Sequence, residues 1–140
     1  MNMERSCGAV VYRADGDEIQ YLLIQSTEGV WGFPKGHMEG SETEKETALR
    51  EVREETCARI RLADGFRTVT EYPLPNKKDT IKQVVFFLGE YVGGELAPQA
   101  GELMDLHWAR FEQAIELFRF EDSKRILRQA QEFLICNEGK

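Results

Sequence analysis

The sequence predicts a mixed α/β (α+β) domain with one β-sheet packed between helices. Several short apolar runs carry the β-branched and aromatic residues that suit a pleated, half-buried surface. Two longer stretches, 43–56 and 122–136, repeat their apolar residues at helical period instead. Strands and helices interleave along the chain, and mixed strands with two substantial helices imply an α+β or α/β sandwich. A length of 140 residues makes 1–140 a single domain, large enough for a real core.

The elements follow in order. Residues 7–13 and 19–25 are apolar runs on either side of Ala14-Asp15-Gly16-Asp17, which reads as a hairpin. Trp31-Gly32-Phe33 then leads through Pro34 into a loop. The helix over 43–56 is announced by Ser41-Glu42-Thr43-Glu44, a capping box with Ser41 at the N-cap and Glu44 three residues on. Ala48, Leu49 and Val52 form its apolar stripe. Residues 66–72 alternate and contain Thr, Val and Tyr, so they read as a strand. The segment 73–79, with two prolines, an asparagine and an aspartate, is a turn-rich connection. Residues 81–91 are the strongest strand, carrying Val84, Val85, Phe86, Phe87 and Leu88, with Gly93-Gly94 beyond them. Residues 103–110 read as a further strand and 112–118 as a short helix. Ile126, Leu127, Ala130, Phe133 and Leu134 share one stripe of the final helix. The chain shows no internal repeat, low-complexity tract or linker.

The most informative chemistry lies in the first helix. Glu51 faces Glu54 and Glu55 there, because i+3 and i+4 neighbours share a helical face. Converging carboxylates repel one another, and a hard divalent cation such as Mg²⁺ resolves that repulsion through oxygen ligands. Arg50 precedes Glu54 by four residues, within reach of an ion pair, and Glu42 lies upstream. The plain reading, that a charge run marks a solvated helix face, fits most such helices. Here the surrounding residues overturn it.

Gly36, Glu42 and Arg50-Glu51-Val52-Arg53-Glu54-Glu55 stand at the spacing G-x5-E-x7-R-E-U-x-E-E, where U is a bulky apolar residue. This resembles the Nudix box, and every charged position of that box is filled. The resemblance sharpens the fold to a Nudix α/β/α sandwich around a mixed sheet. It implies hydrolysis of a nucleoside diphosphate linked to another moiety, with Mg²⁺ as cofactor and Mn²⁺ as its substitute. Glu51, Glu54 and Glu55 would hold the metal, joined by the backbone carbonyl of Lys35. The base would be a box glutamate or a later-loop one, Glu54 first and Glu51 second. Arg50 and Glu42 would hold the acids in position. The closing Gly-U of the box is absent. Cys57 and Ala58 stand there, and a cysteine in a left-handed helix exit costs about 1 kcal/mol unless the turn takes another shape.

Trp31-Gly-Phe-Pro-Lys-Gly-His37 and the run from Glu46 to Glu51 are similar to the asymmetric diadenosine tetraphosphate hydrolase branch. The likeness extends more loosely through residues 82–88, 102–108 and 111–134. It implies a small-molecule nucleoside polyphosphate as substrate. Lys35, His37 and Lys82 would lie near the polyphosphate, Tyr72 and Phe86 near the aromatic positions that receive a base, and Glu102 would serve as a metal-binding or base glutamate. Trp108 is expected to be packing. Leu106 replaces a tyrosine of that branch, and loss of a stacking ring would remove about 1–3 kcal/mol per base.

Composition narrows the field. A net charge of −7 argues against broad nucleic-acid binding, while leaving room for a phosphate substrate whose field a bound cation reverses. No run reaches the length of a membrane span, and no basic start followed by a long apolar segment suggests a signal peptide, so a cytoplasmic protein is expected. Cys7, Cys57 and Cys136 have neither zinc spacing nor a C-x-x-C pair and read as reduced thiols. No feature specifies an oligomeric state. Removal of pyrophosphate from RNA 5′ ends, cleavage of diphosphoinositol phosphates, and a non-catalytic ligand-binding Nudix domain are the alternatives. The chain's acidity disfavours the first two, and retention of every box acid disfavours the third.

Overall fold

A computed structural model describes residues 2–138. The elements in chain order are β1 (Asn2–Asp15), β2 (Glu18–Ser26), β3 (Trp31–Gly32), β4 (Lys35–His37), α1 (Glu44–Thr56), β5 (Arg59–Leu62), β6 (Thr68–Pro73), β7 (Thr80–Gly93), β8 (Leu103–Arg110), α2 (Phe111–Leu117) and α3 (Glu121–Glu138). Among the described residues no helix is long and apolar enough to cross a membrane.

The strands form one mixed sheet, as the sequence predicts. The two long strands β1 and β7 run parallel at its centre, from Asn2 opposite Thr80 to Tyr12 opposite Glu90. Each outer side is shared by two antiparallel strands. β4 and then β2 pair along β1, while β6 and then β5 pair along β7. β8 extends the sheet beyond β2. The β1–β2 hairpin closes over Gly16 and Asp17, with Gly16 at φ 64°, a left-handed angle that glycine adopts without cost.

Side-chain alternation divides the core between the faces. Cys7, Ala9 and Val11 of β1, with Val85 and Phe87 of β7, point toward α1 and meet Ala48 and Val52. Val10, Val84, Phe86 and Leu88 point the other way, onto Ala114 of α2 and Ile126, Leu127 and Ala130 of α3. The result is the α/β/α sandwich.

Four local expectations shift. The capping box is real but starts two residues later: Thr43 accepts from the Glu46 backbone N–H, and Glu46 accepts from that of Thr43. Ser41 and Glu44 do not form it, because the turn at 39–42 is taken by Glu42, whose carboxylate accepts from the Glu39 N–H at 3.0 Å. Leu49 is 40% exposed, so the buried stripe of α1 is Thr47, Ala48, Val52 and Thr56. β5, with its alternating arginines, and β4, where the sequence reading has a loop after Pro34, are strands that the reading omits. β6 begins at Thr68, while Phe66 leaves the strand to pack edge-on against Phe133.

Candidate active site

α1 presents its acids beside β4 because Gly36 has no side chain. A Cβ at Gly36 would run into the Glu51 carboxylate, so the glycine of the box is a steric requirement for Glu51 to lie over the strand. β4 is tied to the helix exit as well, since the Lys35 backbone N–H donates to Glu55 Oε1 at 2.7 Å.

Arg50 organises the acids. Its Nε donates to Glu42 Oε2 at 2.6 Å, Nη1 to Glu51 at 2.8 Å and to Glu54 at 3.2 Å, and Nη2 to the His37 carbonyl at 2.8 Å. Glu42 also accepts from the buried Thr47 hydroxyl at 2.9 Å. These donors, with Arg50 foremost, hold the Glu42 carboxyl down to about 2. Glu55 has the opposite setting. Burial pushes its carboxyl up to about 7 against the Lys35 N–H, and the neighbouring charges of Glu51 and Glu102 push the same way. Of the three acids on the shared face, Glu54 is the most open, its side chain 47% exposed against 14% for Glu51.

Among the described residues no three His, Cys, Asp or Glu side chains gather closely enough, as they stand, to hold a metal ion. Arg50 occupies the position between Glu51 and Glu54. The donor set nonetheless suits a hard cation. Glu51 and Glu102 both repel the Glu55 carboxylate, and desolvation of Glu55 leaves a local demand for positive charge.

The site opens into a cleft of about 630 Å³ on the α3 side of the sheet. Lys35, Glu55 and Glu102 line it, as do Thr70, Tyr72, Phe120, Asp122 and Trp31. Strand register explains the grouping, because residues paired across neighbouring strands point to the same face. One row across β6, β7 and β1 reads Tyr72, Lys82, Glu4. The next reads Thr70, Val84, Ser6, with His37 beyond on β4. The third reads Thr68, Phe86, Gly8 and Lys35. Lys82, His37 and Lys35 therefore share one face of the sheet.

Lys82 is only 6% exposed, and its Nζ lies 3.3 Å from each ring nitrogen of His37. Burial, then the charge of Lys35, lowers its affinity for the proton. Burial and the Lys82 charge lower that of His37. An ammonium donating to an imidazole nitrogen requires that nitrogen to be unprotonated, so His37 is the neutral partner. No carboxylate hydrogen-bonds Lys82 among the described residues, which leaves a buried cation without a bonded anion.

The aromatic expectations divide. Tyr72 is 39% exposed and lines the cleft. Phe86 is a core ring, packed edge-on against Phe33 at 5.6 Å, and forms cleft floor. Trp108 is packing, as expected, edge-on to Tyr91 with the Arg13 guanidinium 4.2 Å above its ring. Leu106 packs in the α1-side cluster near Trp108, away from the cleft, so a smaller side chain there removes no base platform. Sequence reasoning assigns no role to Phe120, Asp122 or Thr70. Two phenylalanines straddle the α2–α3 junction, one 3% and the other 56% exposed, and only the packing of Phe118 against Phe33 decides which of them faces solvent.

Comparison with known proteins fits this geometry. The family model for the NUDIX domain matches residues 3–130. The chain is 32% identical to the asymmetrical bis(5′-nucleosyl)-tetraphosphatase of Mus musculus over 93% of its own length and 95% of that protein. The protein of the same description from Sus scrofa is 30% identical over the same shares. A crystal structure of a C. elegans Ap4A hydrolase binary complex superposes with a TM-score of 0.86 at 24% identity, covering 95% of this chain and 98% of that one.

Proposed function

The chain belongs to the Nudix hydrolase family, and on that premise we propose that it cleaves a phosphoanhydride in nucleoside polyphosphates, dinucleoside tetraphosphates foremost, taking diadenosine tetraphosphate to ATP and AMP with Mg²⁺ as cofactor. One observation carries this reading: a single cleft is lined by acids at Glu55 and Glu102 and by aromatic rings at Tyr72 and Phe120. A nucleotide has the complementary layout, a polyphosphate at one end and a flat base at the other.

Glu51, Glu54, Glu55, Glu102 and the Lys35 carbonyl are the proposed metal ligands. When bound, Mg²⁺ supplies charge compensation for the phosphoryl oxygens and acidifies the attacking water. Lys35, His37 and Lys82 bind the phosphates, and Lys82 gains there the anionic partner that its burial withholds. Tyr72 and Phe120 stack on the base above the Phe86 floor. Water attacks phosphorus, the P–O bond to the departing nucleotide breaks, and Glu54 takes the water's proton. Its greater exposure supports Glu54 over Glu51 in that role. Arg50 stays bonded to Glu42 and sets the acids' positions.

The test is a hydrolysis panel with Mg²⁺ or Mn²⁺: dinucleoside polyphosphates, nucleotide sugars, oxidised nucleoside triphosphates, triphosphorylated RNA and diphosphoinositols. Dinucleoside tetraphosphates should lead as a class, with diadenosine tetraphosphate releasing ATP and AMP. Glu54→Gln should lose about 10²–10⁴-fold in rate with an unchanged circular dichroism spectrum. Wild-type turnover in that variant would remove Glu54 as base, and indifference to dinucleotides would remove the substrate.

A further inference from the structure

Asp122 stands in the first turn of α3 and lines the same cleft as Tyr72 and Phe120. Its Oδ2 accepts from the hydroxyl of Thr70 at 2.6 Å, and Thr70 itself is 9% exposed. Among the described residues Thr70 is its one hydrogen-bond partner, and no cation pairs with it. The nearest basic residues on its own helix are engaged elsewhere. Lys124 reaches Glu121, and Arg125 reaches the Val69 carbonyl and Gln129. Thr70 and Tyr72 are two residues apart on β6 and point to the same face, about 7 Å along the strand. A carboxylate with free lone pairs is thus fixed beside the ring on which a base would stack.

We propose that Asp122 reads the base edge and makes this cleft favour guanine over adenine. The inference rests on the reading that a nucleoside enters between Tyr72 and Phe120. An ionised carboxylate only accepts hydrogen bonds. Guanine offers it two adjacent donors, N1–H and the 2-amino group, so both oxygens can be used at once. Adenine offers one donor, its 6-amino group, beside the N1 lone pair, which a second carboxylate oxygen repels. Thr70 fixes the carboxylate's rotation and leaves one oxygen and the remaining lone pairs for the ligand. Diadenosine tetraphosphate is then a substrate, and its guanine counterpart a better one. The residue lies at the cleft mouth in contact with water, so discrimination falls toward the low end for a bidentate pair, about ten-fold.

The experiment compares kcat/KM for diguanosine and diadenosine tetraphosphate, and the Kd of GTP, ITP, ATP and dGTP by calorimetry, in wild type and Asp122→Asn. An asparagine keeps the acceptor for Thr70 and adds a donor that suits adenine. The wild type should favour guanine about ten-fold, with ITP between GTP and ATP and dGTP equal to GTP. Asp122→Asn should erase or invert the ratio, chiefly by lowering kcat/KM and affinity for the guanine ligands. A wild-type preference for adenine overturns the proposal. So does a ratio that Asp122→Asn leaves unmoved while only its Tm falls, which would make the carboxylate a helix-end charge. A penalty shared by GTP, ITP and ATP but absent for dGTP, with dGTP binding the wild type as weakly as GTP binds the variant, also overturns it, assigning Asp122 to the sugar. If neither dinucleotide is cleaved, the dinucleotide-substrate reading fails, and the GTP-to-ATP binding ratio still decides the role of Asp122.

Discussion

Glu42 and Glu55 flank the same acidic motif, one in the turn that enters α1 and one at its exit, and the fold drives their carboxyls in opposite directions. Glu42 is pulled down to about 2 by Arg50, the Glu39 N–H and Thr47. Glu55 is pushed up to about 7 by burial and by the charges of Glu51 and Glu102, with one backbone N–H in compensation. The entrance is electrostatically closed, with its charge matched inside the protein. The exit is open and holds charge that the protein does not neutralise. A run of acids that looks uniform in sequence therefore contains one end whose charge is matched and one whose charge is not. Unmatched buried charge is costly and persists where a ligand completes it.

The sharpest way to break this contrast is Glu55→Gln. In the metal-free protein the folded carboxyl binds its proton until about pH 7, against 4.5 for an unperturbed one. The native state thus holds more protons than the unfolded chain between those values, and stability falls as pH rises from 4.5 to 7. Glutamine has no such titration. In EDTA at pH 8 the variant should be more stable than wild type by about 2 kcal/mol, after discounting for partial exposure, and equal to it at pH 4. Hydrolysis should fall by orders of magnitude, and Mg²⁺ should raise the wild-type Tm more than the variant's. Denaturant titrations across this pH range provide the check. A wild type whose metal-free stability is level from pH 5 to 8 would erase the distinction between the two ends.

Arg50 tests the other side. Its guanidinium bonds Glu42, Glu51, Glu54 and the His37 carbonyl at once, a fan that a point charge does not reproduce. Arg50→Lys should destabilise by about 2 kcal/mol and lower kcat more than it raises KM, because the acids lose their placement while the nucleotide cleft is intact. A loss confined to KM would mean that Arg50 contacts substrate.

Much of this was legible before any coordinates. The box spacing predicts which charged residues meet, and the alternation of residues 81–91 predicts the central strand. What the sequence withheld follows a pattern. Local pattern reads Lys82 as one lysine in an apolar strand; the family resemblance groups it with Lys35 and His37, and the register of β1, β4 and β7 supplies the close approach itself. Phe118 and Phe120 are equivalent as letters, and burial separates them. The sequence places the cap at Ser41 with Glu44, two residues early, because nothing local shows that Glu42 is held by the Glu39 N–H, Thr47 and Arg50 and leaves the box to Thr43 and Glu46. Each miss is a contact between residues distant in sequence or a choice among equivalent neighbours, which local pattern does not encode.

The Glu42 end yields a smaller effect with a clear sign. Its folded carboxyl lies below its unfolded value, so its contribution is present above pH 4.5 and is lost as pH falls through about 2. Glu42→Gln should lower stability at neutral pH and narrow the gap to wild type below pH 3. Thermal melts at pH 7 and pH 2.5 would show it, and an equal deficit at both values would mean that shape rather than charge ties Glu42 to Arg50.

Cys57 sharpens the contrast at the exit itself. It ends α1 at φ 64°, ψ 9°, the left-handed cap that a glycine normally fills, with its N–H on the Arg53 carbonyl at 2.8 Å. The turn has thus kept its shape, and the cysteine bears the strain of a Cβ in that region. The thiol is exposed, so replacing it removes no core contact. Cys57→Gly should stabilise by about 0.5–1 kcal/mol, the relief of strain being partly offset by the added freedom of the unfolded chain. Because Glu54 and Glu55 lie in the final turn before this residue, the same substitution reports whether exit geometry sets the acids. An unchanged kcat with a raised Tm would show that the left-handed cap holds Glu55 in place whichever residue occupies it. A changed kcat would make the strain at Cys57 part of the site.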